Sequence, residues 1–183
     1  MDEIFIIIGL IILNGIFAMS EVALISARKS RLSTDAKKGN KAANIALKLA
    51  NEPDRFLSTV QIGITLIGIL TGIYSGNKIA VSLTDTMLAW GVSATYASAL
   101  AQGVIVVVVT YLTIIFGELV PKRIGLSVAE KAAKLVSRPM NVLSIVASPF
   151  VWLLSKSTSA MFNLLGIKDT DSKVTEEEIK SII

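Results

Sequence analysis

Three long apolar stretches limit what this chain can fold into more than any other feature of its sequence. They run over about residues 4–25, 56–79 and 96–120. Each reaches the length of about 20 residues that a helix needs to cross a bilayer. The mean hydropathy of +0.67 and the 52% of hydrophobic residues are high for a water-soluble domain. We therefore predict an all-α membrane protein with three transmembrane helices.

Basic residues indicate how the spans are oriented. Of the 18 Lys and Arg residues, eight lie within residues 28–55, one is Lys78, and nine follow from Lys122 onward. Because Lys and Arg are enriched in cytoplasmic loops, we predict an outside N-terminus, cytoplasmic helices within residues 28–55 and a cytoplasmic C-terminal region. Basic segments beside spans bind anionic lipid headgroups, so the pI of 9.4 requires no nucleic-acid partner.

We assign the three-span core to residues 1–126. Two prolines and a polar linker divide the region that follows it. Pro139 and Pro149 are expected to cut the apolar segment into pieces of roughly ten residues, each too short to cross a bilayer. We predict that residues 127–168 form a juxtamembrane belt of amphipathic helices, with a fourth span as the alternative. Residues 169–183 combine a linker with the start of a helix, which we expect to lead into a soluble cytoplasmic region.

The residue types that are missing exclude several functions. The chain contains no Cys and no His, which excludes disulfides, Cys or His metal ligands and acid–base catalysis by His. A metal ion bound by this chain would therefore have oxygen ligands. No nucleophile–base pair, phosphate-binding loop or cofactor motif is recognisable, so we do not expect an enzyme.

Polar residues inside the spans are the strongest functional signal, because an ionisable group at membrane depth costs on the order of 3 kcal/mol. Helical spacing places such residues along one side of each predicted span. They are Asn14 and Glu21 in the first span, with Ser20 beside them, and Gln61 and Thr65 in the second span. In the third span Gly103, Thr110 and Gly117 share one side, with Glu118 next to it. The two carboxylates both fall near the predicted cytoplasmic ends of their spans, which favours a shared cation site.

A proline close to Glu118 adds to this prediction. Pro121 has no N–H, so the carbonyl of Gly117, four residues earlier, loses its helical donor. A free carbonyl and the Glu118 carboxylate on consecutive residues would form half of a site for a hard cation, which Ser20 and Glu21 could complete. Mg²⁺ and Ca²⁺ take such ligands, and Na⁺ or a proton are open alternatives.

Local contacts offer simpler explanations for the same residues. A carboxylate can pair with a basic residue of its own helix, and polar side chains can join helices or bond to their own backbone. The alternatives are ion pairs of Glu118 with Lys122 and of Glu21 with Arg28, interhelical hydrogen bonds of Asn14 and Gln61, and bonds of the Thr65, Thr110 and Thr113 hydroxyls to their own helices.

Three motifs, in this order and spacing, resemble the membrane domain of the CorC/CNNM magnesium transporters. They are FAMSEVALISARKSRL at residues 17–32, TVQIGITLIGILTGI at residues 59–73 and FGELVPKRIGL at residues 116–126. The resemblance implies a homodimer in the cytoplasmic membrane that exports Mg²⁺ in exchange for Na⁺, through a cation site between the helices. It also implies regulation by ATP through paired CBS domains, into which the segment TEEEIKSII would lead.

The resemblance also implies which residues form the site. Carried over by motif, they are Ser20 and Glu21 from the first span, Gln61, Gly63 and Thr65 from the second, and Gly117, Glu118, Pro121 and Lys122 from the third. In the family, the glutamate that matches Glu118 is required for transport. Of these, Pro121 and Lys122 are supporting residues rather than metal ligands, and we add Asn14 as a third supporting residue because it shares the polar side of the first span with Glu21. The alternative function is a Mg²⁺ sensor or a membrane anchor for CBS domains that binds the ion without moving it.

Overall fold

The computed structural model describes residues 2–75 and 79–166. Within these ranges every regular element is helical, which confirms the predicted all-α class. The helices are α1 (Asp2–Ser26), α2 (Lys29–Lys37), α3 (Lys41–Asn51), α4 (Pro53–Tyr74), α5 (Ala80–Ala89), α6 (Ala94–Ile114), α7 (Val120–Ser127) and α8 (Ala129–Leu164), with a π-helical segment, Ile115–Leu119, between α6 and α7. The predictions for Lys78 and for residues 169–183 fall outside the described residues.

Four of the described helical stretches are long and apolar enough to cross a membrane. They are Ile4–Ser26, Pro53–Tyr74, Ala94–Ser127 and Ala129–Leu164. The first three coincide with the predicted spans, although the third extends seven residues past the expected end at residue 120. The fourth matches the alternative of an additional span by length and composition. The count of three crossings and the outside N-terminus therefore remain predictions.

The prediction that Pro139 and Pro149 cut the C-terminal apolar segment is wrong, because α8 is one helix from Ala129 to Leu164. A proline inside a helix removes a single backbone hydrogen bond and adds a ring clash, at a cost of about 3 kcal/mol. Packing opposes this cost around the first proline, because Val136 and Met140 on either side of Pro139 are buried in the core. The predicted position of residues 127–168 beside the membrane does not depend on this cut and stays a prediction.

The chain forms two compact units, Met1–Val146 and Ala147–Ile183, and the described part of the second contains the C-terminal part of α8. In the first unit, α1 packs against α4 and also against the π-helical segment and α7. The short helices α2 and α3 contribute buried apolar side chains to the same core. Its members include Leu24, Leu32, Leu49, Phe56, Val60, Ala133 and Val136.

Glycine residues allow α1 to approach its neighbours closely. A Cβ atom at Gly63 of α4 would overlap the ring of Phe17 in α1. Where α1 meets the π-helical segment and α7, a Cβ atom at Gly15 of α1 would lie 2.9 Å from the carbonyl oxygen of Phe116 and 2.9 Å from Cγ of Pro121. The absence of a side chain at these glycines is therefore a packing requirement.

Two ion pairs join α2 to α8 outside the apolar core. The Lys134 ammonium donates to the Asp35 carboxylate at 2.7 Å, and Arg31 lies 3.8 Å from Glu130. The hydrogen bond and positive charge of Lys134 hold the pKa of Asp35 below its usual value, and Lys38 adds to this effect. These contacts connect the segment between the first two spans to the last long helix.

We expect this pair to make the docking of α2 sensitive to acid. Because the folded-state pKa of Asp35 is lowered, its stabilising effect is complete above the unfolded pKa of about 3.9 and is lost as the pH falls through the folded value. Asp35→Asn should therefore have a smaller difference in melting temperature between pH 7 and pH 3 than the unmodified protein. The control is Glu52→Gln, whose partner Arg55 is local at 3.7 Å; an equal change in both variants would contradict the prediction.

Candidate cation site

A widened helical turn separates α6 from α7 at the predicted site. The N–H of Val120 donates to the carbonyl of Ile115, five residues earlier, which is the π-helical pattern. Pro121 then lies in the first turn of α7, the part of a helix in which proline is most often found. The predicted break beside Glu118 is therefore a π-helical turn through which the chain stays helical.

The carbonyl of Gly117 is bound by α1, contrary to the prediction that it is free to bind a cation. The side-chain amide of Asn14 donates to this oxygen at 2.8 Å, and Asn14 itself is buried. A Cβ atom at Gly117 would lie 3.1 Å from the Asn14 amide nitrogen, so the missing side chain leaves room for the bond. Asn14 thus has the interhelical role that was the alternative for it, and it fixes the π-helical segment to the first span.

The carboxylates of Glu21 and Glu118 meet at one ammonium group. The Lys122 Nζ atom lies 2.9 Å from Oε1 of Glu118 and 3.9 Å from Oε2 of Glu21. The first contact is the i, i+4 ion pair that was the alternative explanation for Glu118. The second contact gives Glu21 a different basic neighbour from Arg28, the partner named in the alternative explanation. The structure therefore brings the two predicted acidic residues together, with a lysine between them.

These three charged side chains are partly exposed on the surface of the isolated chain. Their exposed fractions are 29% for Glu21, 50% for Glu118 and 33% for Lys122. None of the three is enclosed by other described residues of the chain, so each carboxylate has surface that is not covered by Lys122. A cation entering this cluster would meet two carboxylates at the cost of displacing one flexible ammonium.

The other predicted ligands take different positions. Ser20 is fully buried and its hydroxyl donates to the carbonyl of Ile16 in the same helix. Gln61 and Thr65 lie on an exposed face of α4, while Gly63 packs against Phe17. Among the described residues, neither Gln61 nor Thr65 forms a side-chain hydrogen bond to Glu21 or Glu118, and α4 packs on α1 and α3 whereas the π-helical segment packs on α1, α6 and α7.

A dense acidic metal site is not found in the part of the chain that the structure describes. No group of three or more Asp or Glu side chains is placed there to hold a metal ion. The chemistry available at this cluster is therefore that of two carboxylates and a competing ammonium. Such a set suits Mg²⁺, which usually keeps several waters and binds through one or two carboxylates.

In the described part of the chain, the hydroxyl of Thr113 lacks the hydrogen bond that a buried threonine usually forms. Thr113, four residues before Gly117, has a buried Oγ1 atom with no hydrogen-bond partner among the described residues. The alternative explanation, a bond to its own helix, therefore does not hold for Thr113. Nothing in the sequence distinguishes Thr113 from the self-bonded Thr59 and Thr71, so this feature could be found only in the structure.

Comparisons with known proteins cover nearly the whole chain. The family described as "Cyclin M transmembrane N-terminal domain" (CNNM) matches residues 5–183. The UPF0053 protein sll0260 of Synechocystis sp. is 48% identical over 182 residues, which is 99% of this chain and 41% of that protein. A polyamine export protein of Salmonella typhimurium is 30% identical over 184 residues, which is 100% of this chain and 41% of that protein. The chain spans about two fifths of the length of these curated relatives.

Proposed function

Because this chain belongs to the CNNM transmembrane-domain family and is a multi-pass membrane protein, we propose that it is the membrane-embedded part of a cation exporter. The transported ion is Mg²⁺, which leaves the cytoplasm in exchange for Na⁺. The protein acts in the cytoplasmic membrane as a homodimer, with the N-terminus outside and the C-terminal region in the cytoplasm. ATP acts on it through CBS domains beyond this chain.

The observation that supports this proposal most strongly is that the carboxylates of Glu21 and Glu118 both contact the same positively charged group, the Lys122 ammonium. The two carboxylates come from separate spans and both contact the Lys122 ammonium, at 3.9 Å and 2.9 Å. The Coulomb attraction between these carboxylates and a divalent ion is about twice their attraction to a single positive charge at the same distance. Lys122 is then a competitor built into the chain, which allows the ion to leave again.

The polar face of α4 supports a dimer. Gln61, Thr65, Gly68 and Gly72 lie on exposed surface of this helix within the isolated chain, and a Cβ atom at either glycine would meet nothing within 4 Å. Polar groups and small residues at such spacing are typical of helix–helix contacts in membranes. A second copy of the chain would cover this face and bring Gln61 and Thr65 into the protein interior.

The second candidate substrate is a polyamine. The group held between Glu21 and Glu118 is a primary ammonium, and a polyamine is a chain of ammonium groups, so the same carboxylates match both substrates chemically. Two similar proteins, from Haemophilus influenzae and Salmonella typhimurium, are named polyamine export protein. Selection between Mg²⁺ and a polyamine at these carboxylates would depend on the size of the substrate and on how much of its hydration it loses, because Mg²⁺ keeps part of its water shell when it binds.

Reconstitution of the full-length protein into liposomes tests the proposal. Mg²⁺ flux is measured with an indicator dye and spermidine flux with a radiolabel, each with and without an opposing Na⁺ gradient. We expect Mg²⁺ flux that depends on the Na⁺ gradient and spermidine flux at the level of empty liposomes. The opposite result would select polyamine export. Mg²⁺ binding without any flux would select the sensor or anchor and overturn the transporter.

A further inference from the structure

The helices α2 and α3 occupy a defined position relative to the membrane. They connect α1 to α4, two apolar helices that pack against each other and are long enough to cross a bilayer. The connected ends of two adjacent spans lie at the same membrane surface. With α1 and α4 as two of the spans, the pair of short helices lies at that surface, within reach of lipid headgroups.

This pair of helices has a strongly positive charge. Residues 28–51 contain seven Lys and Arg residues and a single acidic residue, Asp35. The Asp35 carboxylate accepts a hydrogen bond from Lys134 of α8 at 2.7 Å. The negative charge of Asp35 is therefore balanced mainly by Lys134 rather than by the basic residues of α2 and α3. The exposed basic side chains include Lys37, Lys38 and Lys41 at the turn between α2 and α3. An anionic surface beside this turn would be attracted to it.

An open cleft lies between the two helices at the same turn. Its volume is about 450 Å³, within the range of about 300–1,000 Å³ that is typical of small-molecule sites. Lys37, Lys41, Asn44 and Ser33 supply ammonium, amide and hydroxyl groups, while Ala36 and Leu47 supply an apolar surface. Gly39, which forms the turn with φ +89°, lets the chain reverse without a side chain in the opening. The cleft therefore combines phosphate-binding groups with an apolar lining.

We propose that the cleft between α2 and α3 binds the headgroup of an anionic phospholipid from the surrounding membrane. The lysines contact the phosphate, Ser33 and Asn44 donate hydrogen bonds, and Leu47 contacts the beginning of the acyl chains. A lipid fits this site better than a soluble anion, because the position between two spans brings the cleft to the membrane surface and its lining is partly apolar. The inference is independent of which ion the protein transports.

A pair of double variants tests this site. The dissociation constant for phosphatidylglycerol is measured by native mass spectrometry of the detergent-solubilised full-length protein. Each Lys near an anionic membrane contributes about 1 kcal/mol, so Lys37→Gln with Lys41→Gln should weaken binding about 30-fold. The matched control is Lys29→Gln with Lys48→Gln, which removes two exposed lysines of the same helices outside the cleft. We expect the control to change binding less than about threefold.

Three results would overturn the proposal. Equal losses in the two double variants would mean diffuse attraction to the whole basic surface rather than a site. Equal retention of phosphatidylglycerol and phosphatidylcholine would mean that the headgroup charge is not recognised. Displacement of the lipid by millimolar inorganic phosphate would mean that the ligand is a free anion. Should the glutamine variant misfold, Lys37→Arg with Lys41→Arg keeps the charge and must retain binding within about threefold.

Discussion

Glu118→Gln is expected to reduce Na⁺-dependent Mg²⁺ efflux by more than about tenfold in liposomes that contain the full-length protein. The substitution keeps the size of the side chain and removes the charge that contacts Lys122 at 2.9 Å. An interaction with a charged group contributes about 1.5–3 kcal/mol, and about 1.4 kcal/mol corresponds to a factor of ten. The flux assay with an indicator dye measures the effect, and unchanged efflux would remove Glu118 from the site.

Two further variants separate loss of function from loss of structure. Glu130→Gln neutralises a carboxylate that is paired with Arg31, away from the site, and should leave efflux unchanged. Lys122→Met removes the competing ammonium, so the affinity for Mg²⁺ should rise. If Lys122 only holds the helices together, its loss would lower the melting temperature without raising the affinity.

Gly15→Ala is expected to destabilise the protein by about 1–3 kcal/mol, the usual cost of adding atoms to a packed contact. Its Cβ atom would lie 2.9 Å from a backbone oxygen, that of Phe116, and backbone cannot move aside as a side chain can. The shift would also stretch the neighbouring bond between Asn14 and Gly117. Equilibrium unfolding in detergent measures the change in the free energy of unfolding.

Gly9→Ala is the matched control for this experiment. Gly9 lies in the same helix, α1, and a Cβ atom there would meet nothing within 4 Å. Alanine has a higher helix propensity than glycine by about 1 kcal/mol, so this variant should be neutral or slightly more stable. Equal destabilisation by the two substitutions would show that the close approach at Gly15 is not the cause.

The sequence was sufficient for those features that depend on local composition. Apolar length predicted α1, α4 and α6, because the hydrocarbon thickness sets the minimum length of a spanning helix. The rarity of carboxylates in spans identified Glu21 and Glu118, and the structure brings these two together. A carboxylate at membrane depth requires a compensating charge, so the choice of these two residues as functional candidates did not depend on tertiary detail.

The features that were missed depend on contacts between distant residues. A proline inside a helix lacks a hydrogen-bond donor, and the sequence shows this for Pro121. What binds the Gly117 carbonyl instead is decided by the position of Asn14, which lies 103 residues before Gly117 in the chain. Likewise, Pro139 ends a helix or lies within one according to what packs around it, and buried Val136 and Met140 favour continuity. That Lys122 contacts Glu21 as well as Glu118 requires the relative rotation of α1 and α7, which no spacing rule provides.

The π-helical turn at Ile115–Leu119 has a consequence for insertions and deletions. A wide turn accommodates one residue more than regular winding does, and each residue advances an α-helix by about 100°. Removal of one residue here would therefore restore regular winding and leave α7 close to its present rotation, whereas the same removal from the regular part of α6 would turn α7 by about that angle, carrying Lys122 away from Glu21 and Gly125 away from Met19. A single-residue deletion should consequently be tolerated better within this turn, for example at Ile115, than one turn earlier in α6.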